Sequence, residues 1–240
     1  MESNAIRFIN AYNNIDQTLR SVYNFKRSIT FSDMIRRAVS LNSVVRKYED
    51  RLIDYARLRN AIIHNSNEER IIAEPHDEVV VDIERIADLI ARPPLAYDSI
   101  ATKNVLVLDG NVSLKKAIET IYKTGFKTIP VCENETISGV LNSGRIINIL
   151  GAAIDKNLNL DEITENTPVK RVISEQDVDK LFVIRSKNLT VQEALDLFYY
   201  NRKLLAIVIT KNGSNLERPI GILTVANIMD LNKVVEDYEL

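Results

Sequence analysis

The stretch from residue 57 to residue 64 carries side chains that can transfer protons and hold phosphate. They are Arg57, Arg59, Asn60 and His64. A histidine exchanges a proton near neutral pH, and an arginine stabilises charge that develops on phosphate oxygens. Asn60 and His64 are four positions apart, so they share one face of a helix. These residue types therefore indicate acid–base chemistry on a phosphate ester.

Helical geometry brings only part of this set together. Arg57 lies seven positions before His64 and shares its face of the helix. Arg59 lies about 140° around the helix from His64, because successive residues in an α-helix are rotated by about 100°. A site that uses both residues therefore needs either a helix end that unwinds or a second subunit.

The elements that position these residues are predicted from hydrophobic spacing. Four stretches have apolar residues at intervals of three and four, which predicts four amphipathic helices. They cover 3–24, 33–41, 43–65 and 77–91. No glycine occurs before residue 100, and a proline pair at positions 93 and 94 ends the pattern, because a helix does not continue through two prolines. We therefore predict a helical domain over 1–92 that forms a small bundle.

The run Arg59-Asn60-x-x-x-His64 resembles the motif of HEPN-type helical domains, many of which are metal-independent ribonucleases. The resemblance implies a composite site where two such helices meet across a homodimer, so that each site receives two histidines. His64 would be the acid or base in RNA cleavage, and Arg59 would stabilise the phosphate charge. Asn60 would be an orienting donor and Arg57 an auxiliary group.

The chain after the proline pair contains one pattern twice. The two copies cover 104–150 and 180–231, and each reads as a strand, a helix, a hairpin of two strands and a second helix. The short apolar runs predicted to be strands are 105–108, 128–132, 181–184 and 206–210. In the alignment of the copies, 114–118 corresponds to 191–195, 127–131 to 203–207, and 139–142 to 221–224. The predicted domains of this part are a first repeat over 95–155 and a second repeat over 165–235.

This repeat resembles the tandem CBS module. The resemblance is carried by Ile-Pro-Val at 129–131 and by Gly-Ile-Leu-Thr-x-x-Asn at 221–227, and it covers about 95–235. It implies two βαββα repeats that pair into one module with two clefts. The predicted fold class is therefore α+β, a four-helix HEPN-like bundle followed by two βαββα CBS repeats. Clefts of this family typically bind adenine nucleotides (AMP, ADP or ATP) or related adenosyl ligands, and they regulate an attached domain.

The second copy keeps part of the family's ligand-binding pattern. In that pattern a Ser or Thr ends the glycine-containing strand, and an Asp follows three positions later at a helix start. The hydroxyl and the helix N-terminus favour phosphate, and the Asp accepts hydrogen bonds from both ribose hydroxyls. Thr224 matches, whereas Asn227 can still accept a hydrogen bond but carries no charge. With Leu205 and Ala206 of the preceding strand, these residues are predicted to form the better nucleoside site.

The first copy departs further from the same pattern. It has Asn142 and Arg145 at the two positions, and an arginine cannot accept a hydrogen bond from a ribose hydroxyl. Arg145 instead suits a phosphate group, and Ser143 can supply a hydroxyl one position late. With Pro130 of its strand, this cleft is predicted to be degenerate or to bind phosphate alone.

Together the two resemblances imply a ligand-regulated, metal-independent endoribonuclease. A nucleotide in the CBS clefts would change how two helical bundles meet in a homodimer, and RNA would be the substrate. The alternative is a non-enzymatic adenine-nucleotide sensor or a dimeric regulatory scaffold, because the helix dipole alone favours Arg and His near a helix C-terminus. Arg59 and His64 facing each other across a two-fold axis would favour the enzyme. Their burial in salt bridges within one chain would favour the sensor.

Composition excludes several other classes of protein. The 240 residues include 31 Lys and Arg against 33 Asp and Glu, and a net charge of −2 excludes a strongly basic nucleic-acid binder. One cysteine and two histidines exclude a zinc site of the usual Cys/His kind. The sequence has neither a long apolar run nor a secretory pattern at its start. We therefore expect a cytoplasmic protein without metal, membrane or any cofactor except the regulatory nucleotide.

Overall fold

The chain divides into two units after the proline pair. The helical unit is Met1–Pro94 and the sheet unit is Leu95–Leu240. The computed structural model describes residues 2–64, 73–174 and 181–237. Each unit has a hydrophobic core of its own.

The helical unit contains five helices in its described residues. They are α1 (Asn4–Tyr23), α2 (Phe31–Ala38), α3 (Ser43–Lys47), α4 (Glu49–His64) and α5 (Asp77–Ala91). Ser3 and Thr30 cap the first two helices, because each side chain accepts a hydrogen bond from the backbone N–H three residues later. The apolar faces meet in one core. Its largest fully buried side chains are Phe8, Ile15, Leu19, Met34, Ile35, Leu52, Ile62, Ile83 and Ile86.

The prediction of one continuous helix over 43–65 is wrong, because Tyr48 separates α3 from α4. Its backbone angles, φ −110° and ψ 19°, lie outside the helical region. The Tyr48 ring is buried, and the cations of Lys47, Arg51 and Arg85 lie 5.4 to 5.6 Å from its centroid. Cations are attracted to the face of an aromatic ring, so tertiary packing overrides helix propensity at this position. The predicted last residue of that helix lies outside the described residues.

A carboxylate on α5 connects that helix to α4. Asp82 accepts hydrogen bonds from the Tyr55 hydroxyl, from Arg85 Nη2 at 2.6 Å and from Arg51 Nη1 at 3.2 Å. Burial raises the pKa of Asp82, but the hydrogen bonds from Tyr55 and Arg85 outweigh burial and hold that pKa below its ordinary value of 3.8. Burial also raises the pKa of Tyr55, so its hydroxyl stays protonated and donates.

The sheet unit alternates short strands with helices. Its described helices are α6 (Ala96–Ser99), α7 (Leu114–Thr124), α8 (Ser143–Asp155), α9 (Leu160–Asn166), α10 (Val169–Ser174), α11 (Val191–Tyr200) and α12 (Ile228–Asp237). Its described strands are β1 (Thr102–Lys103), β2 (Leu108–Asp109), β3 (Thr128–Glu133), β4 (Thr136–Asn142), β5 (Phe182–Ser186), β6 (Ala206–Thr210) and β7 (Gly221–Thr224). Among the helices described in either unit, none is both long enough and apolar enough to cross a membrane.

The strands form two sheets with the orders β2-β3-β4 and β1-β7-β6-β5. In each sheet a parallel pair is followed by an antiparallel hairpin. In the first sheet β2 is parallel to β3, and β3 is antiparallel to β4. In the second sheet β5 is parallel to β6, and β6 is antiparallel to β7. Buried side chains from both sheets pack in one cluster. They are Ile137, Val140, Ala206, Val208 and Ile222. The two sheets therefore bury apolar surface against each other.

Each sheet is completed by a segment that precedes the other sheet in the chain. β1 pairs antiparallel with β7, and Ala96 and Ala101 lie in the core beneath the second sheet. In the same way, Val169 and Ile173 of α10 lie in the core of the first sheet. A Cβ atom at Gly139 would lie 2.9 Å from Ile173 Cδ1, so β4 packs closely against α10. The predicted boundary at 165 therefore separates α10 from the sheet on which it packs.

The hydrogen-bond register corrects the sequence alignment of the two copies. Thr128 pairs with Asn142 in the first hairpin, and Ala206 pairs with Thr224 in the second. Because Asn142 and Thr224 end equivalent strands, Thr128 is the structural counterpart of Ala206. The sequence alignment, which matches Pro130 to Ala206, is therefore wrong by two residues in this strand. Runs of apolar residues can slide along each other without penalty in a sequence comparison, whereas the ladder fixes the register.

Candidate functional site

A cleft of about 650 Å³ lies in the sheet unit and is lined by residues of both copies. Its walls come from β1 and the loop after it, from the segment between α7 and β3 with the start of β3, from the end of β4 with the start of α8, and from β7 with the 3-10 turn Val225–Asn227. Small-molecule sites have volumes of roughly 300–1,000 Å³. The cleft is therefore large enough for a ligand the size of a nucleotide.

Apolar side chains make up most of the walls. Ile129 and Pro130 are buried, and Val105 is half-buried. Phe126 is 45% exposed and Ile147 is 67% exposed, although both are apolar. Exposed apolar groups beside a cavity gain from covering by a flat apolar ligand, and an aromatic ring offers a face on which a base can stack.

The amide of Asn227 has its oxygen in use within the protein. Asn227 Oδ1 accepts a hydrogen bond from the Thr224 backbone N–H at 2.9 Å and another from Thr224 Oγ1 at 3.3 Å. These bonds hold the turn that follows β7. The group that Asn227 retains for a ligand is therefore its Nδ2 amide, which is a donor.

Asn142 plays the equivalent part at the start of α8. Its Oδ1 accepts a hydrogen bond from the Gly144 N–H at 2.9 Å, and its Nδ2 donates to Thr128 Oγ1 at 2.8 Å. Asn142 therefore caps the helix and fixes its first turn beside β3. Thr128 Oγ1 accepts in this contact, so its own hydrogen remains to donate.

Lys127 gives the cleft its positive character. The side chain is exposed, and its backbone carbonyl accepts a hydrogen bond from the Ser143 N–H at 2.9 Å. None of the described residues that line the cleft is acidic. The N-terminus of α8, a helix of 13 residues, adds a partial positive charge at the same wall. The electrostatics therefore favour an anionic ligand.

The structure brings residues predicted for different clefts into one cleft. Its lining includes Pro130, Asn142, Ser143, Thr224 and Asn227. The prediction placed each copy's polar residues with that copy's own strand, whereas the lining of this cleft combines residues of both copies. The polar end of the second copy meets the β3 strand of the first copy, because the two sheets pack against each other.

Three predicted ligand residues do not line this cleft. Ala206 is fully buried in the packing between the sheets, and Leu205 directly precedes it. Arg145 is 6% exposed, and its Nε and Nη2 have no hydrogen-bond partner in the described part of the chain. Burial lowers the pKa of Arg145. The proposed phosphate contact of Arg145 therefore finds no support at this cleft.

The sequence reasoning missed Phe126, Lys127 and Thr128, which line the cleft. The local signal is Gly125, which ends α7 with φ 73°. A glycine in the left-handed region stops a helix and redirects the chain. The residues that follow it are thereby turned from the helix surface toward the cleft.

The candidate catalytic residues of the helical unit lie at the end of α4. Arg57 is exposed and pairs with Asp54 at 2.8 Å. The Arg59 guanidinium lies 5.7 Å from the centroid of the Tyr12 ring, and Arg59 Nη1 donates to Asn60 Oδ1 at 3.4 Å. Burial raises the pKa of Tyr12 to about 12. The helix brings Arg59 and Asn60 together.

The surroundings of Arg59 are described by the structure, whereas those of the His64 side chain are not. Arg59 Nε is buried and has no hydrogen-bond partner among the residues that the structure describes. The guanidinium is therefore held against its own unit rather than extended into solvent. The side chain of His64 lies outside the described residues, so its prediction as the acid or base stays a prediction.

Comparison with known proteins gives several similar solved structures and one match to a family of domains. The chain is similar to the solved structure of CBSX2 in complex with AMP, with 19% identity over 60% of this chain and 98% of that chain, and a TM-score of 0.42. It is also similar to a putative acetoin utilization protein, AcuB, from Vibrio cholerae (12% identity, 60% of this chain, 94% of that chain, TM-score 0.45). A third similar structure is the CBS domain of a bacterial CNNM/CorC family Mg²⁺ transporter in complex with ATP (15% identity, 62% of this chain, 92% of that chain, TM-score 0.44).

No curated protein matches the chain. Residues 97–152, which run from α6 into α8, match the CBS domain family.

Proposed function

We propose that the sheet unit is a regulatory module that binds an adenine nucleotide in its cleft. The observation that carries the proposal is the combination of apolar walls, one lysine and a helix N-terminus without any carboxylate among the described lining residues. The base lies between the apolar walls, with Phe126 beside it. The 5′-phosphate lies at Lys127 and the first turn of α8. The CBS domain match over 97–152 supports this assignment.

The proposed regulation requires a nucleotide that distinguishes two states of the protein. A ligand shifts an equilibrium only by the difference between its affinities for the two states. Thr102, which lines the cleft, belongs to β1 at the edge of the second sheet. A bound nucleotide therefore contacts both the first copy and the strand that completes the second sheet, and it stabilises one packing of the two sheets.

Replacing Lys127 with alanine is expected to weaken the binding of an adenine nucleotide about tenfold, because one charge-assisted contact to phosphate is worth about 1.5 kcal/mol. Isothermal titration calorimetry with AMP, ADP and ATP measures the affinity. Lys123→Ala is the matched control, because Lys123 is an exposed lysine near the end of α7 that does not line the cleft. Equal losses in both variants, or no loss in Lys127→Ala, would contradict the assigned phosphate position.

We also propose, as a second candidate, that the helical unit is a metal-independent endoribonuclease in a homodimer. The contact between Arg59 and Asn60 supports it, because it places a guanidinium and an amide together at the end of α4. Arg57 would assist at the phosphate, and His64 would transfer the proton. The packing of Arg59 on Tyr12 favours the alternative, a non-enzymatic sensor whose helical unit binds a partner.

RNA cleavage in excess EDTA, with and without AMP or ATP, separates these two candidates. The enzyme predicts that His64→Ala lowers the cleavage rate by about 10²–10⁴-fold, the usual contribution of a general acid or base. His76→Ala is the matched control, because His76 is the other histidine and is exposed before α5. Cleavage that is equally fast in both variants, or RNA that stays intact with the wild type, would leave the sensor.

A further inference from the structure

The two amide side chains that line the cleft have their oxygens engaged within the protein, so what they offer to a sugar is their N–H groups. A backbone N–H can only donate, so the atom of Asn227 that faces the Thr224 N–H at 2.9 Å must be the oxygen. The orientation of the Asn227 amide is therefore fixed by its own turn. Its Nδ2, which has no hydrogen-bond partner within the described residues, is the atom left for a ligand.

The Asn142 amide, at the start of α8, is also oriented by hydrogen bonds within the protein. The Gly144 N–H fixes Asn142 Oδ1, and this turns Asn142 Nδ2 toward Thr128 Oγ1. Thr128 then has its hydroxyl hydrogen available to donate. Lys127 adds three donors and no acceptor. Both amide oxygens that line the cleft thus accept hydrogen bonds within the protein, the hydroxyls of the lining can donate or accept, and the described lining contains no carboxylate.

A free ribose diol is a poor match for such a set of groups. Two neighbouring hydroxyls are bound most strongly by a carboxylate, which accepts from both at once. A phosphate ester on the ribose presents acceptors only, and it carries charge that a donor and a lysine stabilise.

We propose that Asn227 makes this cleft select adenine nucleotides whose ribose carries a phosphate on its 3′ oxygen over those with a free diol. The inference rests on the proposed nucleotide-binding function. The 5′-phosphate occupies the wall formed by Lys127 and α8, and the sugar phosphate meets the Asn227 amide from the second copy.

Two isomeric ligands test the proposal. ADP and adenosine 3′,5′-bisphosphate have the same composition and differ only in where the second phosphate is attached. In calorimetric titrations of the full chain, the 3′,5′-bisphosphate is expected to bind about tenfold more tightly than ADP, the effect of one hydrogen bond to a charged group. The dissociation constants of AMP and 2′-deoxy-AMP are expected to lie within about threefold of each other, because no carboxylate accepts hydrogen bonds from the diol.

Asn227→Asp is the variant that inverts the preference. An aspartate oxygen accepts the Thr224 N–H as the amide oxygen does, so the turn is kept, and a second acceptor replaces the Nδ2 donor at the same place. The variant is expected to lose the preference for the 3′,5′-bisphosphate and to bind AMP about tenfold more tightly than 2′-deoxy-AMP. Circular dichroism of the variant checks that the fold is retained.

The outcomes separate this inference from the function on which it rests. Wild-type protein that binds ADP at least as tightly as the 3′,5′-bisphosphate, or an Asn227→Asp variant with an unchanged ratio, overturns the inference and leaves nucleotide binding intact. Wild-type protein that binds none of the four ligands overturns the proposed function and the inference together.

Discussion

Replacing Asp82 with alanine is expected to lower the stability of the helical unit by about 2–4 kcal/mol, because it removes a largely buried charge from its partners. The Asp82 side chain is only 20% exposed, and it accepts hydrogen bonds from Tyr55 and Arg85. Without the carboxylate, the Tyr55 hydroxyl loses this acceptor. Arg51 and Arg85 then face each other without the charge between them.

Native-state hydrogen exchange of the full chain measures this effect where it arises. Protection of amides in α4 and α5 reports the free energy of opening of these helices. Asp54→Ala is the matched control, because Asp54 is 66% exposed and pairs with an exposed arginine on the same helix. Its effect should stay within about 0.5 kcal/mol. A similar loss of protection in both variants would contradict the role assigned to the buried carboxylate.

The contribution of Asp82 also depends on pH, and its sign follows from the direction of the pKa shift. The pKa of folded Asp82 lies below the ordinary value of 3.8. A carboxylate whose pKa is depressed by folding stabilises the protein above its unfolded pKa, and this stabilisation is lost as the pH falls through the folded pKa. The difference between wild type and Asp82→Ala should therefore be constant above about pH 5 and shrink below pH 3.8.

Replacing Arg145 with methionine is expected to stabilise the sheet unit by about 1–3 kcal/mol, because it removes a buried cation whose Nε and Nη2 lack partners in the described residues. Methionine fills a similar volume without a polar group and is accepted in a helix. Arg145 lies in the first turn of α8 and is 6% exposed. A helix N-terminus also disfavours a positive charge.

Thermal denaturation of the full chain, with hydrogen exchange of α8 amides, measures the change. Arg202→Met is the control, because Arg202 is exposed in the turn after α11, and its effect should stay within about 0.5 kcal/mol. A loss of stability in Arg145→Met would mean that the guanidinium makes a net favourable contribution and would contradict the prediction.

Local periodicity was sufficient for elements whose sequence and packing agree. The helix predicted over 77–91 is α5, and the strand predicted over 206–210 is β6, with the same bounds. The helix over 43–65 failed at Tyr48, where contacts with α4 and α5 decide the backbone. Of the strand predicted over 105–108, only Leu108 joins a ladder, as part of β2. An apolar run carries no information about where its partner strand lies.

For the candidate site, the sequence predicted several of the polar residues that take part but not how they are grouped or oriented. The resemblance to the CBS module identified Thr224, Asn227 and Asn142 as candidate ligand residues, and each lines the cleft. Their grouping depended on the packing of the two sheets against each other, which no local pattern encodes. The direction of each amide depended on hydrogen bonds within its own turn. The groups that these two amides offer to a ligand therefore follow from the three-dimensional structure and not from the sequence.

The exchanged segments have a consequence for the order in which the sheet unit matures. Within the sheet unit, α6 and β1 leave the ribosome first, but their partner strand β7 is among the last elements to be made. The first sheet lacks its full core until α10 has emerged. Until β7 has been made, β1 therefore has no partner strand and α6 has no sheet to pack on. Contacts between residues this far apart in the sequence form slowly. A chain cut between α8 and α9 would yield two fragments that each hold a piece of the other's core, so complementation between them, rather than independent folding, is the route back to structure.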